Sequence, residues 1–213
     1  DMKIRRVVED REGNMLIGSN ENGLAIYKGD EFISYFVEDG LINSQVWAIE
    51  QDESGQYWFG TNQGISILNQ NKNQFTEFYK LKENGIRYLK KDSKNRMWIA
   101  TDNQGIFTQN SNNDVFTYEP VLNSYLTSFI VTALEADDKG AIWVGTLAGL
   151  IRYDYDSRSA NYLTMYDGLS KSEVTSLYFS QQNKRLWIGT RNNGLNYFDG
   201  DSISKLEMEE TFT

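Results

Sequence analysis

Apolar and polar residues alternate in short runs along the chain, and turn-forming residues separate the runs. Four such runs lie between residues 46 and 79, at 46–51, 57–61, 65–68 and 74–79. They are rich in β-branched and aromatic residues and lack the 3.6-residue period of a helix, so they predict β-strands. Asp52 and Gly55 stand at the first and fourth positions of a type I turn. The stretch therefore predicts a sheet of four antiparallel strands.

This unit occurs five times. Each copy carries a short phrase with a large apolar residue first and Ser or Thr last, followed by glycine and an aliphatic residue; the phrase begins at Leu16, Trp58, Trp98, Trp143 and Trp187. Four-stranded repeats spaced 40 to 45 residues apart are typical of β-propeller blades. The sequence predicts an all-β protein, a single β-propeller region over 1–213, with repeats at about 4–36, 46–79, 86–118, 131–166 and 174–206.

The composition excludes several kinds of chemistry. The chain has no histidine and no cysteine, which removes imidazole and thiolate catalysis, disulfides and the usual zinc ligands. We therefore expect no cofactor and no metal. A net charge of −9 disfavours nucleic acid as a partner. No run of eighteen apolar residues occurs, so we expect no direct membrane insertion by this segment.

The repeated residues are interpreted first as structural. Tryptophans at one place in the repeat are expected to fill the space between neighbouring blades. Glycines after them are expected to let a neighbouring backbone or ring approach closely, and the following threonines to hydrogen-bond within the hairpin turns; the glycines are Gly60, Gly145 and Gly189, and the threonines are Thr61, Thr101, Thr146 and Thr190.

Three aspartates resemble fragments of calcium loops, namely Asp52, Asp92 and Asp138. A calcium site needs six to eight oxygens around one centre, whereas these carboxylates are dispersed one per blade. Turn formation is therefore the favoured interpretation. Glycosidase carboxylate pairs stay open, because 30 acidic residues offer many pairs and no spacing selects one.

The combined motif resembles a known family. Its most complete copies are 131–166, with Trp143-Val144-Gly145-Thr146 and a following Gly149-Leu150, and 174–206. The motif is similar to the two-component regulator propeller repeat over essentially the whole chain. Its parts are an apolar strand, an Asp-x-x-Gly turn, the phrase Trp-Ile-Gly-Thr, then Gly-Leu, Tyr-Asp and a final aromatic strand. The departures, none of which breaks a propeller, are Leu16, Ser19, Ala100 and Asn183.

The resemblance implies a periplasmic sensor region of a bacterial hybrid two-component histidine kinase, part of an inner-membrane receptor. It implies oligosaccharide as ligand, further propeller and immunoglobulin-like domains as partners, and kinase activity outside this chain. We expect an oligosaccharide, or another small neutral polar ligand, to bind at one end of the blades and in the central funnel. It allows a homodimer of the full receptor. It also implies rings of seven blades, so these five are expected to form part of a larger, seven-bladed ring rather than a closed ring of five.

Candidate binding residues follow from comparing the repeats. Hairpins between second and third strands and links from fourth strands to the next blade must lie at one end of an antiparallel blade, and this shared end is called the rim. The second residue of the first strand varies most among the repeats, reading Arg5, Trp47, Arg87, Thr132 and Thr175. No single packing environment would accept all five, so the position is either idle surface or a binding site.

We expect Trp47 and Arg87 to bind ligand, because an aromatic ring stacks on a sugar and a guanidinium donates to hydroxyl or uronate oxygens. Neighbouring loops supply the weaker candidates Gln45, Tyr125, Arg191, Asn62, Asn103 and Asn192. An equal alternative is that Trp47 fills a gap between blades.

Three function classes are left open by the residues. The first is a non-catalytic, ligand-sensing propeller. The second is a carboxylate-based glycoside hydrolase or lyase on the same scaffold, and the third is a protein-binding propeller. Binding of intact oligosaccharide would favour the first, turnover the second, and a flat face without a pocket the third.

Overall fold

The computed structural model describes residues 3–70, 73–78, 81, 84–109, 115–127 and 129–207. Within them the strands form five four-stranded antiparallel sheets, in which sequential strands are neighbours. The prediction of an all-β protein with five four-stranded blades is confirmed. The seven-bladed ring stays a prediction.

Each blade uses four consecutive strands. Blade 1 contains β1 (Ile4–Glu9), β2 (Met15–Ser19), β3 (Leu24–Lys28) and β4 (Glu31–Tyr35). Blade 2 contains β5 (Val46–Gln51), β6 (Tyr57–Thr61), β7 (Gly64–Asn69) and β8 (Gln74–Phe78). Blade 3 contains β9 (Ile86–Lys91), β10 (Met97–Thr101), β11 (Ile106–Gln109) and β12 (Phe116–Tyr118).

The last two blades follow the same plan. Blade 4 contains β13 (Val131–Ala136), β14 (Ala141–Thr146), β15 (Leu150–Asp154) and β16 (Ser159–Leu163). Blade 5 contains β17 (Val174–Ser180), β18 (Arg185–Thr190), β19 (Gly194–Phe198) and β20 (Ile203–Lys205). Short 3-10 turns at Val37–Asp39 and Met165–Asp167 lie in the links that leave blades 1 and 4.

The chain divides into two compact units. The first comprises Asp1–Lys91 and Asn95–Tyr118, with blades 1 to 3, and the second comprises Asp92–Lys94 and Glu119–Thr213, with blades 4 and 5. Apolar clusters lie between successive blades within each unit. The first unit has one between blades 1 and 2 and one between blades 2 and 3, and the second has one between blades 4 and 5.

The second strand of a blade is apolar on both faces because a neighbouring blade covers each face. In β6, Tyr57 and Phe59 pack in the cluster with blade 1, whereas Trp58 between them packs in the cluster with blade 3. Alternating side chains of a strand point to opposite faces, so the continuous apolar run satisfies two cores at once. Of the other motif tryptophans, Trp98 and Trp143 are buried and Trp187 is half-buried.

The motif glycines permit the next blade to approach, as expected. A Cβ on Gly60 would lie 2.6 Å from Cγ2 of Ile86, and one on Gly145 would lie 2.8 Å from Cγ1 of Val174. The neighbour in both cases is an aliphatic side chain at the start of the next blade's first strand, not a ring. At Gly189 the nearest atom is instead the Ser176 hydroxyl of the same blade.

The turn between the first two strands is tied to the motif tryptophan by an aspartate. In blade 2, Asp52 accepts hydrogen bonds from the Gln56 amide at 3.0 Å and, through Oδ2, from the Trp58 indole at 2.8 Å. The sequence predicted the turn role of Asp52 but not this indole bond. The carboxylate thereby satisfies an indole N–H that would otherwise be buried without an acceptor.

In blade 4 the aspartate with this role is Asp137, which corrects the assignment of the turn to Asp138. Asp137 accepts from the amides of Lys139 and Ala141 at 3.0 and 2.9 Å and from the Trp143 indole at 3.0 Å. Asp138 instead pairs with Lys184 at 3.1 Å near the surface. Asp137 has this role because its carboxylate, and not that of Asp138, reaches the buried Trp143 indole.

A short helix, α1 (Pro120–Ser124), occupies the long link before blade 4 and was not predicted. Proline suits the first turn of a helix, where no amide donor is needed. Buried Glu119, just before it, accepts from the Tyr153 hydroxyl at 3.1 Å and from Arg158 at 2.6 Å. The link is therefore held to blade 4 by a charged contact that strand patterns do not encode.

Replacing Asp137 by alanine should destabilise the protein by about 2–4 kcal/mol, since two turn amides and a buried indole lose their acceptor. The matched control is Asp138→Ala, which removes only a partly exposed ion pair and should cost less than about 1 kcal/mol. Urea unfolding of the two variants checks the assignment. Equal losses, or a larger loss at Asp138, would contradict it.

Asp10 gives the fold a specific dependence on pH. Burial alone would raise the pKa of Asp10, but hydrogen bonds donated by Tyr57 and Asn14 outweigh it and hold the pKa below its ordinary value. The unfolded chain then binds more protons than the folded one between the two pKa values, so stability is lost as pH falls below about 4.

The free-energy advantage of the wild type over Asp10→Asn should therefore shrink between pH 7 and pH 3. Urea midpoints at the two pH values measure it. The variant Asp30→Asn, in an exposed turn, serves as control. An advantage of the same size at both pH values would rule out the ionised carboxylate as its source.

Candidate functional site

The variable position of the first strand is a β-bulge in every blade. The pairing of first and second strands shifts register between Ile4 and Arg6, Val46 and Ala48, Ile86 and Tyr88, Val131 and Ala133, and Val174 and Ser176. The skipped residues are Arg5, Trp47, Arg87, Thr132 and Thr175. A bulged residue leaves the regular ladder, which explains why this position varies while the residue before it and the residue two places after it stay aliphatic in all five copies.

The structure brings Trp47 and Arg87 into direct contact. Cζ of Arg87 lies 3.7 Å from the centroid of the Trp47 ring, close enough for a cation–π interaction. The Arg87 Nε also donates to Oδ1 of Asp102, in the hairpin of the same blade. Both Trp47 and Arg87 are half-buried, so the stack has a packed side and a solvent side.

Gly85 completes the packed side of this cluster. A Cβ at this position would lie 2.2 Å from Oδ2 of Asp102 and 3.1 Å from Cζ3 of Trp47. The Gly85 carbonyl accepts from the Asp102 amide at 2.8 Å. The link into blade 3 and its hairpin are thus joined around the Trp47–Arg87 stack.

Two polar groups near the stack have distinct electrostatic properties. The Trp47 Nε1 is buried and has no hydrogen-bond partner among the described residues. Burial raises the pKa of Tyr88, although the positive charges of Arg6 and Arg87 act in the opposite direction. The hydroxyl of Tyr88 is therefore protonated at neutral pH.

Other predicted residues of the first unit adjoin the same rim. The amide of Asn62 donates to the carbonyl of Gln45 at 3.3 Å, which places the blade 2 hairpin beside the residues that precede Trp47. Asn62 and Asn103 are exposed at their hairpin tips. The first unit therefore gathers Gln45, Trp47, Asn62, Arg87 and Asn103 at the rim ends of blades 2 and 3.

The remaining predicted residues lie in the second unit. Nε of Arg191 is 2.9 Å from Oε1 of Glu173, and its amide donates to the Glu173 carbonyl at 2.9 Å. Asn192 adopts a left-handed turn conformation with φ 57°. Tyr125 follows α1 and is 38% exposed. The binding roles of all eight residues stay predictions.

Hydrogen bonds confirm that hairpins and links share one end of a blade. The Gly23 amide in the blade 1 hairpin donates to the Ser44 carbonyl in the following link at 2.9 Å. The Asp102 and Arg191 amides, in the hairpins of blades 3 and 5, bond instead to the links that enter their own blades, at the Gly85 and Glu173 carbonyls. The predicted hairpin role of threonine is also confirmed: Thr61 and Thr146 donate to the glycine carbonyls across their turns at 2.9 Å.

Two buried polar residues that position the links were not predicted. The Ser66 hydroxyl accepts from the Ile42 amide at 2.9 Å, and Asn196 accepts from the Ser170 amide at 2.9 Å. Both lie in the third strand of the following blade and are fully buried. A polar residue flanked by apolar neighbours, as in Ile65-Ser66-Ile67, was the available signal.

The link into blade 5 presents another unpredicted residue. Tyr166 is 99% exposed on the 3-10 turn Met165–Asp167. The Thr164 hydroxyl caps this turn by accepting from the Tyr166 amide at 3.2 Å. Its ring is thus fully accessible at the rim of the second unit. Among the described residues, no cluster of three or more acidic side chains could hold a metal ion.

The five antiparallel four-stranded sheets define a β-propeller protein. Three segments, 40–63, 80–103 and 168–192, match the family described as two component regulator propeller, which confirms the resemblance seen in the sequence. Each segment runs from a link through the bulge to the second strand. No curated protein matches the chain.

Solved structures share the fold. The chain is similar to an extracellular domain from B. thetaiotaomicron described as part of a hybrid two component system, with TM-score 0.78 and 23% identity over 97% of this chain and 28% of that one. An extracellular domain of a one component system from B. thetaiotaomicron matches with TM-score 0.74 and 18% identity over the same shares. This chain thus spans just over a quarter of those proteins' length.

Virginiamycin B lyase from Staphylococcus aureus also has this fold, with TM-score 0.75 and 12% identity over 97% of this chain and 70% of the lyase. At these identities the similarity shows a common architecture. No helix among the described residues has the length and apolar character needed to cross a membrane.

The Trp47–Arg87 stack should appear as an energetic coupling. A double-mutant cycle with Trp47→Leu and Arg87→Met should give a coupling free energy of about 0.5–1 kcal/mol, which is the contribution expected of a partly exposed cation–π pair. The control cycle pairs Trp47→Leu with Arg11→Met, since Arg11 binds Gln51 and Asp52 at the other end of the strands. Urea unfolding gives both values. Coupling that is the same in both cycles would exclude a specific stack.

Proposed function

We propose that this propeller is a ligand-sensing module of an extracytoplasmic two-component receptor and that it binds a neutral oligosaccharide at the rim. Support for the receptor class comes from the two component regulator propeller repeats and from the shared fold with bacterial extracellular domains. On this proposal the module lies in the periplasm and works beside further propeller and immunoglobulin-like domains, in a receptor that can be homodimeric.

The observation that carries the ligand proposal is the bulge at the rim end of each first strand. It frees one side chain per blade from the packing of the sheet, and in blades 2 and 3 those side chains are Trp47 and Arg87. The guanidinium has a fixed fork of donors for hydroxyl oxygens. The indole offers an apolar surface for the CH face of a sugar.

Neighbouring groups give the site the hydrogen-bonding range that a neutral sugar requires. Asp102 supplies carboxylate acceptors, and its pairing with Arg87 keeps the local charge balanced. The exposed Asn62 and Asn103 side chains each contribute both donors and acceptors. A neutral polar ligand fits this balance better than a strongly charged one.

A sensor is favoured over an enzyme by the missing catalytic groups. The similar propeller lyase from Staphylococcus aureus has a histidine-to-alanine variant described as catalytically inactive. The present 213 residues contain no histidine. Catalysis by these residues would have to proceed without an imidazole or a thiolate.

The test is a calorimetric titration with a panel of neutral di- to hexasaccharides, each recovered afterwards and analysed by chromatography. Saturable binding with intact sugar supports the proposal. Cleavage of any panel member would establish an enzyme, and absence of binding to every member would overturn the oligosaccharide proposal.

Arg87→Ala should weaken binding of the panel's best ligand at least tenfold, because hydrogen bonds from a charged group contribute about 1.5–3 kcal/mol. The melting temperature should change little, since Arg87 is half-exposed. Trp47→Ala should weaken binding as well, but with some loss of stability from its packed side.

Arg185→Ala is the matched control. The Arg185 guanidinium also stacks on an aromatic ring, with Cζ 4.5 Å from the centroid of Tyr197, but Arg185 is the first residue of β18, at the end of the strand away from the rim. Its affinity should equal that of the wild type. Full affinity in both Arg87→Ala and Trp47→Ala would show that the bulge position serves structure alone.

A further inference from the structure

A groove of about 310 Å³ lies between blades 4 and 5, at the end of the strands opposite the rim. Its apolar wall is formed by Phe179, Leu186 and Phe198. Turn residues from the two blades, including Asp138 and Asp199, form its polar border. A space of this size matches the lower range of small-molecule sites.

Arg152 lines this groove at a position that is apolar in the equivalent place of blades 1 and 2. It pairs across the sheet with Trp143, as Ile26 pairs with Leu16 and Ile67 pairs with Trp58. The comparable residue of blade 5 is Tyr197. Packing of the inter-blade core does not require a cation here.

The Arg152 guanidinium is only partly used by the protein. Its Cζ lies 5.6 Å from the Trp143 ring centroid, and the same ring contacts Phe198 at 4.9 Å between centroids. The Arg152 Nε is buried and has no hydrogen-bond partner among the described residues. A buried donor without an acceptor opposes folding, so its retention points to a partner outside the chain.

The other charged residues of the groove are of both signs: three carboxylates, Asp137, Asp138 and Asp199, and two lysines, Lys139 and Lys184. Asp137 is occupied by the turn amides and the Trp143 indole, and Asp138 pairs with Lys184. Backbone hydrogen bonds from Ser202 and Asp201 hold the pKa of Asp199 below its usual value. The carboxylates accept hydrogen bonds from hydroxyl groups. Because they balance the three cations Lys139, Arg152 and Lys184, the groove has no surplus positive charge for a second ligand anion.

We propose that the groove between blades 4 and 5 binds a hydroxylated monocarboxylate, such as a sugar acid, through the Arg152 guanidinium. The ligand carboxylate pairs side-on with the guanidinium fork, which matches carboxylate geometry. Its hydroxyl groups donate to Asp138 and Asp199, and its CH surface lies against Phe179 and Phe198. This site is separate from the rim and does not depend on the function proposed for it.

The test titrates the whole chain with sodium glucuronate, with glucose and inorganic phosphate as comparison ligands. Glucuronate should bind saturably, at least tenfold more tightly than glucose or phosphate. Arg152→Met should weaken the binding of glucuronate at least tenfold. The melting temperature of this variant should be unchanged or higher, because an unsatisfied donor is removed. The charge-matched control is Arg11→Met, because Arg11 does not line the groove and bonds Gln51 in the first unit. It should bind glucuronate as the wild type does.

A second variant guards against a folding defect. Arg152→Lys keeps the charge but lacks Nε and the fork, so it should also lose glucuronate affinity. Absence of glucuronate binding, equal binding of glucose or phosphate, or full affinity in the Arg152 variants would overturn the proposal. Loss of glucuronate binding in Arg87→Ala instead would place the carboxylate at the rim and also overturn it.

Discussion

A four-stranded sheet with apolar side chains on both faces cannot be stable alone, and the rest of this structure depends on that constraint. Each face must be covered by a neighbouring blade. Tyr57 and Phe59 serve one interface of blade 2 while Trp58 serves the other. Close approach then requires a small residue at Gly60, against which Ile86 of the next blade packs. The phrase is therefore repeated in the sequence because each copy forms the same kind of interface with the neighbouring blades.

Burying large aromatic residues creates a second requirement, because their polar atoms and the nearby backbone need partners. The turn aspartates satisfy the indoles of Trp58 and Trp143, and buried Ser66 and Asn196 satisfy amides of the links. In blade 2 these bonds fix both ends of the blade relative to its core. A loop held in this way can present side chains to a ligand without losing conformational entropy on binding.

The strand pattern and the repeat were sufficient to predict the blades, because period-two alternation and turn residues are local signals. The role of Asp137 was missed because choosing between adjacent aspartates requires knowing which carboxylate faces the buried indole. Helix α1 was missed because it is short and depends on the contacts of Glu119 with Tyr153 and Arg158. Varying side chains predicted the position of the candidate site, whereas the stack of Arg87 on Trp47 depends on the distance between two blades.

The bulge in each first strand has a consequence for how such a protein can change. The bulged residue has no pairing partner in the ladder, so substitutions there leave the strand pairing intact. Contacts with the next blade are retained only in particular copies, such as the packed side of Trp47 and the bond from the Thr132 hydroxyl to the Val174 carbonyl. Five copies in one chain, reading Arg5, Trp47, Arg87, Thr132 and Thr175, give many combinations on one unchanged scaffold. On the function proposed above, ligand recognition can diversify by point mutation at the bulged position, which is therefore the place to randomise in a library selected for new ligands.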